Sequence, residues 1–153
     1  MPVMGGGLGG GQATTPANRP YIRAFANAVQ PTTNGFSVVA FGSVSDGASA
    51  FAGNTFTVPA DGAGIWAIDV GVVLIGLLSG DTVNCSLFVG NAETAKVGEQ
   101  AIGAAGSLAL TSSFHLRLAP GNQVTVRAST STAGRNIYGD AANQVTTFTA
   151  YLL

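Results

Sequence analysis

The sequence predicts an all-β fold, a sandwich or barrel of about ten short antiparallel strands. Apolar residues alternate with polar or small ones over short runs, and clusters of Gly, Pro, Asn and Asp separate these runs at roughly 8–12-residue intervals. No stretch has the apolar period of an amphipathic helix. The longest apolar run follows a Pro59-Ala60-Asp61-Gly62 turn, and such a turn carries the chain around the corner of a two-sheet sandwich.

The alternation and the turn residues between the runs place the individual strands. Residues 55–58 alternate, the Pro-Ala-Asp-Gly turn ends them, and a long buried strand follows. The predicted strands are residues 21–26, 36–44, 55–58, 65–75, 82–89, 96–102, 107–118, 123–128 and 144–153, with 137–138 as a short extended piece. These strands and their connections form one domain, residues 21–153.

Two long strands show which residues should share a face. In residues 107–118 one face is mainly apolar: Leu108, Leu110, Ser112, Phe114, Leu116 and Leu118. In the closing strand Phe148, Ala150 and Leu152 alternate with Thr147, Thr149, Tyr151 and Leu153. One face of the closing strand should fill the sandwich, and the other should meet neighbouring molecules.

The composition points to burial between subunits. Only 8% of the 153 residues are charged, against about 25% in an ordinary soluble domain. No run of 18 apolar residues is present, so the sequence predicts no membrane-spanning segment. A chain this poor in charge is expected to cover its apolar surface against partner subunits. The six basic residues are scattered, which argues against a nucleic-acid partner.

Residues 1–20 form a Gly-rich arm that cannot build a core of its own. It is either a linker or an arm that docks on a larger partner through Met1, Val3, Met4 and Leu8. A secretory signal peptide has a basic region followed by an apolar region, and these residues contain neither. We therefore expect synthesis in a cytoplasm and release by another route, such as lysis after particle assembly.

The sequence predicts neither an enzyme nor a cofactor or metal site. No nucleophile-elbow, phosphate-binding or zinc-protease motif is present. His115, the only histidine, is expected at the surface or in a hydrogen bond, and Cys85 as a buried, inert thiol. Turn aspartates such as Asp81 and Asp140 normally bond nearby backbone. The alternative is a cation held by symmetry copies of one aspartate.

Asp69 is the unusual charge, because it lies inside the long apolar strand. It is in phase with Ile65, Ala67, Gly71 and Val73. A buried carboxylate needs a partner. We predict an ion pair with Arg117 or Arg127 of a neighbouring strand or subunit.

The corner resembles the C1q/TNF-like jelly-roll family. That family shows an aromatic-X-X-Val segment, an Asp/Asn-Gly turn, an aromatic residue, a Thr/Asn-Phe-Thr-X-Pro-X-X-Gly run and an aromatic strand. The corresponding residues here are Phe41-Gly42-Ser43-Val44, Asp46-Gly47, Phe51, Asn54–Gly62 and Trp66.

The resemblance continues to the end of the chain. The later family motifs correspond to Ser86–Asn91, Leu116–Val126 and the closing Thr147–Leu153. Asn122 replaces the common Asp, which weakens transfer of the calcium sites that some members carry. The insertion Gly62-Ala63-Gly64 should be the largest departure.

The resemblance implies a compact homotrimer in which each subunit presents one sheet to the three-fold axis, with an interface on the order of 2,000 Å² or more. The candidates for the trimer interface or the core are Tyr21, Phe25, Trp66, Asp69, Phe148 and Tyr151.

The sequence leaves two functions open. The first is a non-enzymatic virion protein, of a phage or another virus, that decorates or cements a capsid. The second is an extracellular or tail-fibre tip that binds a receptor or glycan, with Arg135, Tyr138 and Asp140 as its ligand loop.

Overall fold

The strands form where the sequence alternates. The computed structural model describes residues 21–153, apart from the side chains of Asp46 and Ala48, so the predicted arm residues Met1, Val3, Met4 and Leu8 lie outside it. Within residues 21–153 the strands are β1 (Tyr21–Phe25), β2 (Gln30–Pro31), β3 (Ser37–Val38), β4 (Ser43–Asp46), β5 (Phe51–Ala52), β6 (Thr55–Thr57), β7 (Gly64–Leu77), β8 (Thr82–Val89), β9 (Ala92–Ala101), β10 (Gly106–Leu118), β11 (Gln123–Thr130), β12 (Asn136–Ile137) and β13 (Thr147–Leu152). A 3₁₀ turn spans Ala48–Ala50. No helix in this part of the chain is long and apolar enough to cross a membrane.

The strands form two antiparallel sheets. The first sheet has the order β2-β12-β7-β13-β1-β4, with β10 on the other edge of β7. The second has the order β5-β6-β11-β8-β9, with β3 also paired to β11. Strand β7 pairs with three others because β12 and β13 take successive parts of one edge. These two sheets confirm the predicted all-β sandwich.

The core lies between the two sheets and follows the predicted alternation. On β7 the inward side chains Trp66, Ile68, Val70, Val72 and Leu74 are fully buried. They face apolar side chains of the second sheet: Val83, Cys85, Leu87, Val124, Val126 and Ala128. Phe148 and Ala150 of β13 share one face, as predicted, and the structure shows that this face points inward.

Aromatic packing holds the corner between β6 and β7. The rings of Phe56 and Trp66 lie with centroids 4.9 Å apart, and both side chains are buried. The Trp66 Nε1–H donates to the Gly62 carbonyl oxygen at 2.8 Å. A Cβ on Gly62 would lie 3.0 Å from both Pro59 and the Trp66 ring, so glycine allows this close approach.

The prediction of a single strand over residues 36–44 is wrong. Strand β3 pairs with β11 of the second sheet, whereas β4 pairs with β1 of the first, so the chain crosses between sheets. In the crossing, side-chain amides form hydrogen bonds with the backbone. The Ala40 N–H donates to Gln30 Oε1 at 2.8 Å, and Gln30 Nε2 donates to the Ala40 carbonyl oxygen at 3.2 Å. Asn54 Oδ1 accepts from the Phe41 N–H at 3.0 Å. These bonds satisfy groups that a continuous ladder would otherwise pair.

Candidate interaction surface

The first sheet has one face turned away from the core, which we call the outer face. Cross-strand register aligns its residues in rows: Thr149, Asp69 and Ser113 form one row, and Thr147, Gly71 and Thr111 form the next. Arg117 lies opposite Ile65 near the end of β10. The outer face therefore carries mostly small and hydroxyl-bearing side chains, with few charges.

Four large apolar or aromatic side chains are exposed at one end of the outer face. Tyr21 is 43% exposed and pairs in register with Tyr151, which is 39% exposed. Ile65 is 39% exposed, and its carbonyl oxygen accepts from the N–H of Leu153, which is 51% exposed. A cluster of this kind is typical of a surface that meets a partner.

The predicted interface and core candidates fall into two groups. Trp66 and Phe148 are core residues, and Phe25 is buried on β1. Tyr21 and Tyr151 lie on the outer face, so only these two and Asp69 combine exposure with a place on that face.

Asp69 is exposed and forms no ion pair with another described residue, so its predicted burial and its predicted pairing with Arg117 or Arg127 of a neighbouring strand are wrong. Its strand neighbours Ala67 and Gly71 point to the outer face, and the carboxylate follows them outward. Ser113 Oγ donates to Asp69 Oδ1 at 2.5 Å, and Thr149 Oγ1 donates to Asp69 Oδ2 at 3.4 Å. Hydroxyls therefore take the place that the prediction gave to an arginine.

A shallow groove of about 410 Å³ runs beside Asp69. Strands β7, β10 and β13 line it with Asp69, Gly71, Thr111, Ser113 and Thr147, among others. Gly71 has no side chain to fill the groove. A Cβ at this position would lie only 3.3 Å from Thr147 Oγ1, so glycine keeps the groove open. The groove thus combines a carboxylate with hydroxyl groups that can accept hydrogen bonds.

The predicted ligand loop is engaged within the chain. Arg135 Nε donates to Asp81 Oδ2 at 2.7 Å, and Asp81 is almost fully buried. Tyr138 Oη donates to Asp140 Oδ2 at 3.0 Å, and Asn143 donates to the same oxygen at 2.6 Å. The structure therefore brings Tyr138 and Asp140 together and directs Arg135 elsewhere.

These contacts shift the pKa values of both aspartates. The Arg135 guanidinium and, after it, the Leu78 N–H lower the pKa of Asp81 to about 2. The Ala142 N–H, which donates to Asp140 Oδ1 at 2.8 Å, is the main cause that lowers the pKa of Asp140, followed by Tyr138. Both carboxylates are held in their charged form by bonds to their own chain.

His115 and Cys85 lie where the sequence predicts. His115 is exposed on the outer face, in register with Ala67. Cys85 is fully buried, and burial raises the pKa of its thiol to about 12. In residues 21–153 no three His, Cys, Asp or Glu side chains gather as metal ligands would.

The sequence analysis does not predict a stacked cluster that lies on the second sheet. Arg127 lies over the Phe88 ring, 4.3 Å from its centroid, and Phe36 meets the same ring edge-on at 5.3 Å. Arg127 also donates to the Gly90 carbonyl at 3.1 Å. Arg127 therefore cannot serve Asp69 within the chain, because the two residues belong to different sheets. The cluster depends on the pairing of Arg127 with Val38, which brings the neighbouring Phe36 to the second sheet. The sequence pattern does not reveal that pairing.

Comparison with known proteins defines the fold. No protein-family model matches this chain, and no curated protein matches it. Among solved structures, the globular domain of the zebrafish complement 1qA protein superimposes with a TM-score of 0.64 over 88% of this chain and 98% of that chain, at 14% sequence identity. The chain therefore has the C1q-like jelly-roll fold.

Proposed function

We propose that this chain is a non-enzymatic structural protein of a virion, a trimeric decoration or cement subunit that stabilises a capsid. The observation that carries the proposal is the outer face of the first sheet. It exposes Tyr21, Ile65, Tyr151 and Leu153 together in a chain with only 8% charged residues. A face of this kind is covered when subunits assemble.

The fold supports a role in binding or assembly. C1q-like domains generally serve as non-enzymatic binding or structural units, and this chain has that fold. Fold alone does not assign a function, so the side chains of the outer face carry the proposal.

The loop that would serve a receptor- or glycan-binding tip gives that alternative little support. Asp81 holds Arg135, and Asp140 is bonded to Tyr138, Asn143 and the Ala142 N–H. A ligand would have to break these bonds before it could use the same side chains. We therefore favour the capsid role.

Electron microscopy of the native particles, with gold-labelled antibodies against residues 21–153, tests the proposal. Labelled three-fold knobs distributed over the capsid shell are the expected result. Label confined to a tail tip would favour the receptor-binding alternative, and particles without label would contradict a virion role. Antibody blocked with the purified chain provides the control for specific labelling.

A further inference from the structure

We propose that the groove beside Asp69 receives the Arg117 guanidinium of a second copy of this chain. The proposal rests on the proposed trimer and identifies the contact that would hold its subunits in register. Both residues lie on the outer face of the first sheet, at different positions along it.

Among residues 21–153, Asp69 has no cationic partner. In that part of the chain its two carboxylate oxygens accept only from the hydroxyls of Ser113 and Thr149. Neither ion pair formed among the described residues includes it. A carboxylate has about four lone-pair sites, so Asp69 can still accept a forked donor.

Arg117 is the matching unsatisfied group. Among the cations that the structure describes, Arg23 donates to Gln144, Lys96 to Glu99, Arg127 to Gly90 and Arg135 to Asp81. Arg117 is exposed, and its guanidinium has no acceptor among the described residues. It is therefore the described cation that is free to reach another molecule.

Asp69 and Arg117 do not pair within one chain. Asp69 lies opposite Ser113, and Arg117 is four residues further along β10. That spacing is about 13 Å along a strand, and strand side chains stand roughly perpendicular to the sheet. The two charges therefore lie apart on one face and can be satisfied when a second copy covers it.

The groove fits a guanidinium. Gly71 and the hydroxyls of Thr111 and Thr147 line it beside the carboxylate, and its volume is about 410 Å³. A guanidinium is planar and presents donors in a fixed fork that matches a carboxylate and neighbouring hydroxyl oxygens. Because each copy would give Arg117 to one neighbour and Asp69 to the other, the contact is head-to-tail and closes in a ring.

A charge exchange in the full chain tests this pairing. We expect Asp69→Arg and Arg117→Asp each to weaken assembly on the order of 100-fold or more, because each brings like charges together at every interface. The double variant should recover most of the wild-type association, measured by sedimentation equilibrium. Lys96→Asp, an equal change of charge on β9 of the second sheet, is the matched control and should assemble like the wild type.

Further measurements keep the test decisive. Circular dichroism confirms that each variant folds, and the isosteric Asp69→Asn should weaken assembly even if the charge reversals unfold the chain. Single variants that assemble like a trimeric wild type would overturn the pairing and leave the proposed trimer standing. A double variant no better than the single variants would also overturn it. A wild-type chain that stays monomeric would contradict the trimer itself.

Discussion

Trp66 joins the corner of the sandwich to its core. The indole ring packs on Phe56, and its N–H is bonded to the Gly62 carbonyl oxygen. All three residues are buried, so water cannot replace the bond. The same side chain thus provides apolar burial and fixes the turn.

Replacing this indole should destabilise the fold. Trp66→Phe leaves unfilled space and an unpaired Gly62 carbonyl, so we expect the free energy of unfolding to fall by about 2 kcal/mol or more. Urea unfolding at one fixed protein concentration measures the change. Val29→Ala, at a site that is 49% exposed, is the control and should change the value by less than about 0.5 kcal/mol. Equal effects of the two variants would argue against the role of Trp66.

The ion pair between Asp81 and Arg135 should make the stability of the fold depend on pH. Its folded-state pKa of about 2 lies below the ordinary 3.8, so its ion pair stabilises the fold above about pH 4, and this stabilisation is lost as pH falls toward 2. Asp81→Asn should therefore have a lower Tm than the wild type at neutral pH, and the gap should narrow between pH 4 and 2. Thermal melts across this range measure it, with Asp61→Asn in an exposed turn as the control. A gap that does not change with pH would contradict the assignment.

Among the strands, alternation predicts the long ones well. The prediction for residues 82–89 matches β8, and the residues predicted to share a face on β10 and on β13 do so. Strand β9 begins four residues before its predicted start at Lys96. Its pairing with β8 shifts register twice, and such irregularities disturb the period of two on which the prediction relied.

The crossing at residues 39–42 could not be predicted by the same reasoning. It depends on amide side chains of Gln30 and Asn54, which are distant in sequence from the groups they bond. A local pattern contains no signal of such partners. The alternation of residues 36–44 continues across the point where the chain changes sheets.

The candidate surface was predictable only in part. The closing-strand alternation correctly places Tyr151 on the face opposite Phe148. Ser113 and Thr149 reach Asp69 because β7 pairs with β10 and with β13. That strand pairing cannot be derived from the sequence pattern. For the same reason Arg135 and Tyr138 looked available to a ligand, although both are bonded within the chain.

The loop between β12 and β13 rests against residue 28, and Gly139 makes this possible. A Cβ on Gly139 would lie 2.2 Å from the Ala28 carbonyl oxygen, a backbone atom that cannot rotate away. We expect Gly139→Ala to reduce the free energy of unfolding by about 1–3 kcal/mol or more. Gly103→Ala is the matched control, because no described atom beyond its two chain neighbours lies within 4 Å of its Cβ position. Chemical unfolding of both variants decides the point, and a neutral Gly139→Ala would contradict the contact.

Residues 1–20 and the outer face should have separate roles. The strands that the structure describes all lie between Tyr21 and Leu152. We therefore expect a chain lacking residues 1–20 to form the same trimer but to lose docking on its larger partner. Co-sedimentation with particles stripped of the native protein measures docking, and the full-length chain is the control. Undiminished docking by the truncated chain would contradict the role of the arm.

In the proposed closed trimer, two neighbouring copies cover the outer face of each chain. Sedimentation equilibrium of the full chain at micromolar concentration is the decisive measurement, because the method reports mass without assuming a shape. A closed trimer predicts one species with three times the 15.2 kDa mass of a single chain. A species with the mass of one chain throughout that concentration range would contradict it.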